Sequence, residues 1–365
     1  MRKSTRPGPL WHGSRVADSP PVKRVLIVKL GALGDIVHAI PVAAALRRAF
    51  PGVRIDWLVS AKHREMLDLV PVIDRRLVIN DRGAAGDGTG ILAAIRELRR
   101  SKYDVALDLQ GLLKSAFFAR SSGAGRVIGF ASGYVRERLA RPFYTEVHDP
   151  GGGGMYHPDE THVVWTNLGL LEPLGIRVAQ PEFPVERVES DVARAVAVQT
   201  GGRYALLNPG AAWPTKRWPP ARLGAVAIAL RDAHALSSVV LWGPGEESLA
   251  REVVASSAGA AILSPRTSIA DLVALSRSAA LFISGDTGPA HIAAALGTPI
   301  VGIYGPTRPS RNGPWSPRDV TISRDSVCQC HHLRRCRLAT MCLADIEVDE
   351  VLTAIDRRLA GARFV

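Results

Sequence analysis

Nowhere does the chain offer the ~18 uninterrupted apolar residues that a membrane span requires, so no helix is expected to cross a bilayer. Cysteine is scarce: four residues, all between 328 and 342, are too few in a chain of 365 for a secreted disulfide framework. The first 23 residues lack the apolar core of a secretory signal, because Pro7, Pro9, Pro20 and Pro21 break the segment before any run develops. Arg2, Lys3, Arg6, Arg15 and Lys23 against Asp18 alone make this stretch read as a disordered basic tail. These absences point to a cytoplasmic protein. Nucleotide fingerprints are missing where they would matter: the glycines at 31 and 34 do not continue into G-x-G-x-x-G, and no G-x-x-x-x-G-K-[ST] occurs, which removes the main support for an NAD or P-loop protein. No interleaving of aromatic and basic residues suggests RNA recognition, and no zinc-finger spacing is present.

What the chain does contain is ordinary for a globular protein, with 47% apolar and 22% charged residues. At 365 residues it exceeds what one hydrophobic core usually holds, so two domains are expected. The net charge is +12, of which the tail supplies +4. Such a balance fits a polyanionic partner and leaves nucleic acid, anionic membrane and phosphorylated substrate open.

Strand-like and helix-like patterns alternate along the chain. Residues 24–29 (RVLIVK) form a β-branched run that ends in a glycine loop, and helical periodicity follows over 36–50. Strands are expected over 53–59, 75–79 and 103–109, and helices over 91–100 and 161–174. Residues 178–185, punctuated by proline, read as a linker. A second series begins with strands over 204–207, 238–242, 280–284 and 299–304, separated by helices over 219–231, 246–256, 269–277 and 289–296. The expected fold is α/β, with two Rossmann-like domains over residues 24–185 and 186–345 and a C-terminal helix within 346–365. Their strand-end loops should face each other across a cleft.

Those loops carry the chemistry. Gly31-Ala32-Leu33-Gly34-Asp35 places a carboxylate at a helix N-terminus, where it is either an N-cap or a functional group. Asn208 to Trp218 brings Lys216 and Arg217 beside two indoles, and Lys216 is placed to neutralise a leaving diphosphate. In Ser284-Gly285-Asp286-Thr287-Gly288-Pro289-Ala290-His291, small residues let Thr287 and Gly288 approach an anion at a helix start. Asp286 would repel phosphate and so should meet donor hydroxyls or a cation; His291 reads equally as a hydrogen-bonded core histidine. Glu246 and Glu247, after Trp242-Gly243, either bind ribose hydroxyls or cap the next helix.

The segments RVLIVKLGALGDIVHAIP, LDLQGLLKSAFFAR, NPGAAWPTKRWP and GDTGPAHIAAALGTPIVGIYGPT resemble the lipopolysaccharide heptosyltransferases of glycosyltransferase family 9, over about residues 24 to 355. Within that family, residues 136–144 with His162 look most similar to the first-heptose enzymes. The resemblance implies a GT-B fold and inverting transfer from ADP-L-glycero-D-manno-heptose, with a nucleotide-sugar donor and no required metal cofactor. It implies that Asp35 is the general base, that Thr215 and Lys216 bind the donor, and that Asp286, Thr287, Gly288 and His291 complete that donor loop. Glu247 is the better match for the ribose-binding glutamate, with Glu246 a near competitor. On the acceptor side it implies that Lys62, Arg64, Lys114 and Arg136 meet Kdo carboxylates and phosphates, although His63 stands where more basic residues are usual. The partners expected are a nucleotide sugar, a lipid-anchored anionic glycan and, peripherally, the inner face of the cytoplasmic membrane; nucleic acid is not expected.

Cys328, Cys330, Cys336 and Cys342 do not form a paired C-x-x-C ribbon, so a structural zinc site and simply clustered thiols both remain open. A second-heptose transferase, another nucleotide-sugar transferase of the same architecture and a noncatalytic basic protein binding anionic ligands are the rival readings.

Overall fold

The computed structural model describes residues 22–80, 90–151, 153–155, 157, 160–328, 330, 333–336 and 341–360. Residues 1–21 of the basic tail, His331 and His332 of the cysteine block, and residues 361–365 lie outside them. The first sheet has six parallel strands: β1 (Arg24–Val28), β2 (Arg54–Ser60), β3 (Arg75–Ile79), β4 (Val105–Asp108), β5 (Arg126–Phe130) and β6 (Glu146–His148). Their order is β3-β2-β1-β4-β5-β6. Around it lie α1 (Leu33–Val37), α2 (Ile40–Ala49), α3 (Ile91–Ser101), α4 (Leu113–Ser121) and α5 (Val163–Gly169). β1 and β4 are apolar and buried nearly end to end, as strands covered on both faces must be.

The expected helix over 36–50 is two helices. Pro41 has no N–H to donate to the preceding turn, so α1 stops at His38 and a new helix starts with Pro41 in its first turn, where that N–H is not needed. The helix expected over 161–174 is likewise shorter: α5 is followed by a 3-10 turn, Glu172–Leu174, that ends at Gly175 in the left-handed conformation. The linker over 178–185 has no helix or strand, but it is pinned, since the Val185 carbonyl accepts from the Arg277 guanidinium.

The second sheet repeats the plan with β7 (Tyr204–Asn208), β8 (Ser237–Val240), β9 (Ala261–Leu263), β10 (Leu281–Ser284), β11 (Ile300–Tyr304) and β12 (Val320–Ser323). These run parallel in the order β12-β11-β10-β7-β8-β9. Its helices are α6 (Asp191–Thr200), α7 (Pro220–His234), α8 (Glu247–Ala255), α9 (Ile269–Ser278), α10 (Gly288–Ala295), α11 (Pro309–Asn312) and α12 (Val348–Ala360). The C-terminal helix α12 is an integral part of this domain: it sends Val351, Ala354 and Ile355 into the core under the second sheet.

In each sheet the connections reverse direction beside the first strand, between β1 and β4 and between β7 and β10. The loops leaving those strands therefore open onto a crevice. The two crevices face each other because α1 packs on α10. Two glycines allow that approach. A Cβ on Gly34 would overlap the His291 ring, and one on Gly288 would sit 2.9 Å from the Leu33 side chain.

Candidate active site in the interdomain cleft

Asp35 is the third residue of α1, with Ala32 in the N-cap position. Its carboxylate does some capping, because Ala32 N–H donates to Oδ2 at 3.3 Å. It remains about one-fifth exposed, and the Arg136 guanidinium stands 3.4 Å away. Burial pushes the Asp35 carboxyl up, but the charges of Lys29, Arg136 and Arg311 hold it far below the usual carboxylate range. Lys29, just past β1, is buried and donates from Nζ to the Leu109 carbonyl at 2.5 Å. Burial brings its ammonium down to about 8, against the opposing pull of Asp35.

The neighbouring loop after β4 is built on Asp108. This buried carboxylate accepts from Tyr144 Oη at 2.7 Å, Ser115 Oγ at 2.9 Å and the Gln110 N–H at 2.9 Å. Gln110 in turn accepts from Leu30 N–H at 3.2 Å, tying the loop to the end of β1. Asp108 is thus a positioning group, fully satisfied within the fold.

On the facing domain, Asp286 lies buried between two cations or potential cations. Lys216 Nζ donates to its Oδ2 at 2.5 Å, and His291 Nε2 stands 3.0 Å from its Oδ1. Burial raises the Asp286 carboxyl, yet His291 and Lys216 outweigh it and keep the group ionised well below the ordinary range. Lys216 Nζ also sits 4.5 Å over the Trp213 ring. Thr215 is turned inward, its hydroxyl donating to the Leu333 carbonyl at 3.2 Å. Thr287 is the N-cap of α10, and its hydroxyl is also 3.0 Å from Ser284 Oγ and 3.1 Å from Asn208 Nδ2. The side chain of Thr287 therefore shapes the loop, while Gly288 begins the helix.

His291 answers both readings made of it, since it is buried and hydrogen-bonded yet belongs to the site. Its ring lies 4.2 Å from that of His38, which is 5.8 Å from His162. Burial and the neighbouring imidazoles keep His38 neutral, and burial takes His162 down to about 4. The hydrogen bonds of His162 fix one neutral tautomer, Nδ1 accepting from Val164 N–H and Nε2 donating to the Gly313 carbonyl. A further bridge between the domains places Glu160 3.4 Å from Arg311 and 3.9 Å from Arg308.

The two glutamates after β8 separate. Glu246 Oε2 accepts from Gly243 N–H at 3.2 Å, and its carboxylate lies against Gly210 of the loop after β7. Glu247 begins α8 and turns away to Arg251, one helical turn on, at 2.5 Å. One residue along a helix start rotates the side chain by about 100°, which is why Glu246 lies against the loop after β7 while Glu247, the better match by resemblance, is engaged by Arg251. Of the acceptor-side cations only Arg136 is brought against Asp35. Lys62 and Arg64 lie on the 3-10 segment Ala61–Leu69 after β2, where His63 packs on Gly31, and Lys114 is the second residue of α4.

With one carboxylate on the first domain opposite a lysine–aspartate–histidine group on the second, comparison with known proteins becomes decisive. The profile of Glycosyltransferase family 9 (heptosyltransferase) matches residues 91–341. The chain is 31% identical to the lipopolysaccharide heptosyltransferase 1 of Pseudomonas aeruginosa, over 84% of this chain and 85% of that protein. The chain belongs to glycosyltransferase family 9. Among solved structures, the family 9 glycosyltransferase from Veillonella parvula superposes with a TM-score of 0.74 at 22% identity, covering 93% of this chain and 97% of that one. The E. coli heptosyltransferase WaaC with ADP gives 0.69 at 22% identity, covering 94% of this chain and 100% of that one. The glycosyltransferase therefore has the GT-B architecture.

Residue patterns did not single out every charged or imidazole side chain that this family 9 enzyme brings to the cleft. Lys29 and Asp108 are charges inside buried strand ends, and an ionisable residue closing a run such as RVLIVK was the available sign for Lys29. His38, Glu160, Arg308 and Arg311 gave no such sign, since only the packing of the two domains brings them to the cleft.

Proposed function

We propose that this glycosyltransferase moves a heptose from ADP-L-glycero-D-manno-heptose to the Kdo-lipid A inner core of lipopolysaccharide, inverting the anomeric carbon without a required metal. The observation that carries the proposal is the apposition, through α1 and α10, of Asp35 and the Lys216–Asp286–His291 group across one cleft. The name of the Pseudomonas relative supports the choice of sugar and acceptor. In the proposed step an acceptor hydroxyl oxygen attacks the anomeric carbon as the bond to the diphosphate breaks. Asp35 takes the hydroxyl proton, and ADP leaves with the bonding pair. Lys216 and the N-terminus of α10 meet the growing diphosphate charge. A single base suffices for inversion in one displacement. Asp286 holds the Lys216 ammonium, Thr215 anchors the same turn through the Leu333 carbonyl, and Glu246 is the proposed partner of the donor ribose.

Asp35 as it stands is too acidic to be a strong base. An anionic acceptor resolves this, because its carboxylate or phosphate would draw off the Arg136 charge and let the Asp35 carboxyl rise. Lys62, Arg64 and Lys114 are the further cations of that side.

The same reading places the protein in the cytoplasm, peripherally on an anionic membrane. Among the described residues no helix is long and apolar enough to cross one. Support comes from exposed apolar side chains of the first domain: Leu92 on α3, Phe117 on α4 and Leu139 on the 3-10 turn Arg138–Phe143 that packs on α4 are 72%, 41% and 70% exposed, and Arg96, Arg120, Arg138 and Arg141 on the same elements are exposed too. Incubating the purified chain with Kdo-lipid A and a panel of nucleotide sugars tests the proposal. Gain of one heptose by the acceptor with ADP-heptose alone is expected; transfer from another sugar nucleotide, or only to an acceptor already carrying heptose, would assign a different family 9 role.

A further inference from the structure

The edge of the first sheet away from the cleft is basic. Arg24, Arg54 and Arg75 are the first residues of β1, β2 and β3, so they stand where these parallel strands begin, whereas Asp35 comes after the end of β1. Arg24 and Arg54 are register partners, as are Asp56 and Arg75. Partners on parallel strands point to one face, with their backbones ~4.8 Å apart. Arg96, Glu97, Arg100 and Ser101, along α3, join the three strand-start arginines around an open cavity of about 560 Å³, a volume typical of ligand sites. Its charge is poorly balanced. Glu97 pairs with Arg75, and the Asp56 carboxylate accepts from Arg54 Nε at 3.1 Å. Arg24 donates to the Ser101 carbonyl at 2.7 Å, which satisfies a helix-end carbonyl without cancelling the charge. Arg96 and Arg100 are exposed and have no hydrogen-bond or ion-pair partner among the described residues.

We propose that this cavity is a second anion site, at the edge of the domain opposite the cleft, for a ligand carrying a phosphomonoester or diphosphate group. Solvent screens repulsion between exposed cations, so a row of arginines on a convex surface would need no ligand. Here five guanidiniums line one concavity, and three of them, Arg24, Arg96 and Arg100, meet no carboxylate. A guanidinium offers two parallel N–H donors to two phosphate oxygens, and a dianionic phosphate accepts from several such groups at once. Arg96 and Arg100, one helical turn apart, are the groups that meet the phosphate together with Arg24. Arg54 and Arg75, already paired, add to the field. Two sources supply this chemistry. Ile91 and Leu92, exposed at the start of α3, make a lipid headgroup one of them, and a soluble diphosphate is the other. The inference is independent of the sugar and acceptor proposed above.

Inorganic pyrophosphate is the soluble probe. Titrated into Lys216→Ala protein, in which the donor side contributes little, it should bind at one site per chain, and adding Arg96→Gln and Arg100→Gln should weaken that binding about tenfold or more. A second reading uses the unaltered chain, so it does not depend on the variants folding. Phenylglyoxal modification of Arg96 and Arg100, located by peptide mass spectrometry, should slow severalfold with pyrophosphate and not with sodium chloride of equal ionic strength. The lipid arm uses phosphatidylcholine vesicles containing phosphatidic acid or, at matched surface charge, phosphatidylglycerol. If the phosphate comes from a headgroup, Arg96→Gln/Arg100→Gln protein loses binding to the phosphatidic acid vesicles and not to the others. If it is soluble, only the pyrophosphate arm responds. A chain in which pyrophosphate protects neither arginine beyond the chloride control, and in which the double substitution changes neither pyrophosphate binding nor the preference for phosphatidic acid, overturns the proposal and leaves a solvated basic edge.

Discussion

Replacing Lys29 by methionine should make the protein more stable and move the pH dependence of its catalysis. The ammonium is 2% exposed, has the Leu109 carbonyl as a hydrogen-bond acceptor, and is brought from 10.5 to about 8, chiefly by burial. At ~1.36 kcal/mol per tenfold change in acidity, that gap corresponds to about 3 kcal/mol. Because the folded value lies below the unfolded one, the fold carries this penalty in full below pH 8 and loses it as pH rises towards 10.5. Methionine removes the charge and fills similar volume, while the lost hydrogen bond takes back about 1 kcal/mol. The expected net gain at pH 7 is about 1–2 kcal/mol, or a rise of a few degrees in melting temperature. Asp35 meanwhile loses the strongest of the cations that keep it ionised, leaving Arg136 and Arg311. The acid limb of kcat/KM, where the base becomes protonated, should then move up. Scanning calorimetry and a pH–rate series on both proteins read the two effects. A lower melting temperature together with an unmoved acid limb would refute the reasoning and make Lys29 a net stabilising element unconnected to the base.

Lys216→Ala should weaken ADP binding and slow turnover, with about 3–4 kcal/mol lost in kcat/KM, and it should lower stability because Asp286 is left buried with His291 and a 3.5 Å contact from Asn312 Nδ2 but no full cationic partner. Isothermal titration, steady-state kinetics and thermal melts report the three; an unchanged ADP dissociation constant with unchanged turnover removes Lys216 from the site. Glu246→Ala should raise the donor dissociation constant by about tenfold or more, in keeping with hydrogen bonds to a charged group, whereas Glu247→Ala should leave it unchanged. The reverse result would restore Glu247. Co-sedimentation with anionic vesicles should fall for Phe117→Asp and Leu139→Asp and also on deletion of residues 1–20, and it should weaken as salt rises, each basic residue near the surface contributing about 1 kcal/mol. Binding that ignores salt and all three changes would count against this membrane face.

The sequence made some of this architecture plain and hid the rest for physical reasons. RVLIVK and the runs at 204–207 and 280–284 announce parallel strands because strands buried on both faces need continuous apolar residues. β6 and β9 are three residues each, too short for any period to show, and α4 is apolar on most sides because it lies between the sheet and the 3-10 turn Arg138–Phe143. Asp35, Lys216, Asp286 and His291 stood out because each follows a strand end, which is where open α/β sheets gather ligands. The choice between Glu246 and Glu247 was illegible, since it turns on where α8 begins. The His38–His291 contact and the Glu160–Arg311 bridge depend on how two domains dock, and that has no local signature.

The most direct test of the central claim is Asp35→Asn, assayed for ADP-heptose affinity and for transfer with acceptor saturating. The amide keeps the size of the side chain and an oxygen for the Ala32 N–H, and loses the negative charge together with the ability to take a proton. The account predicts donor affinity essentially unchanged and turnover reduced on the order of 10²-fold or more. Near-normal turnover in that variant would contradict it and leave Asp35 as a cap on α1.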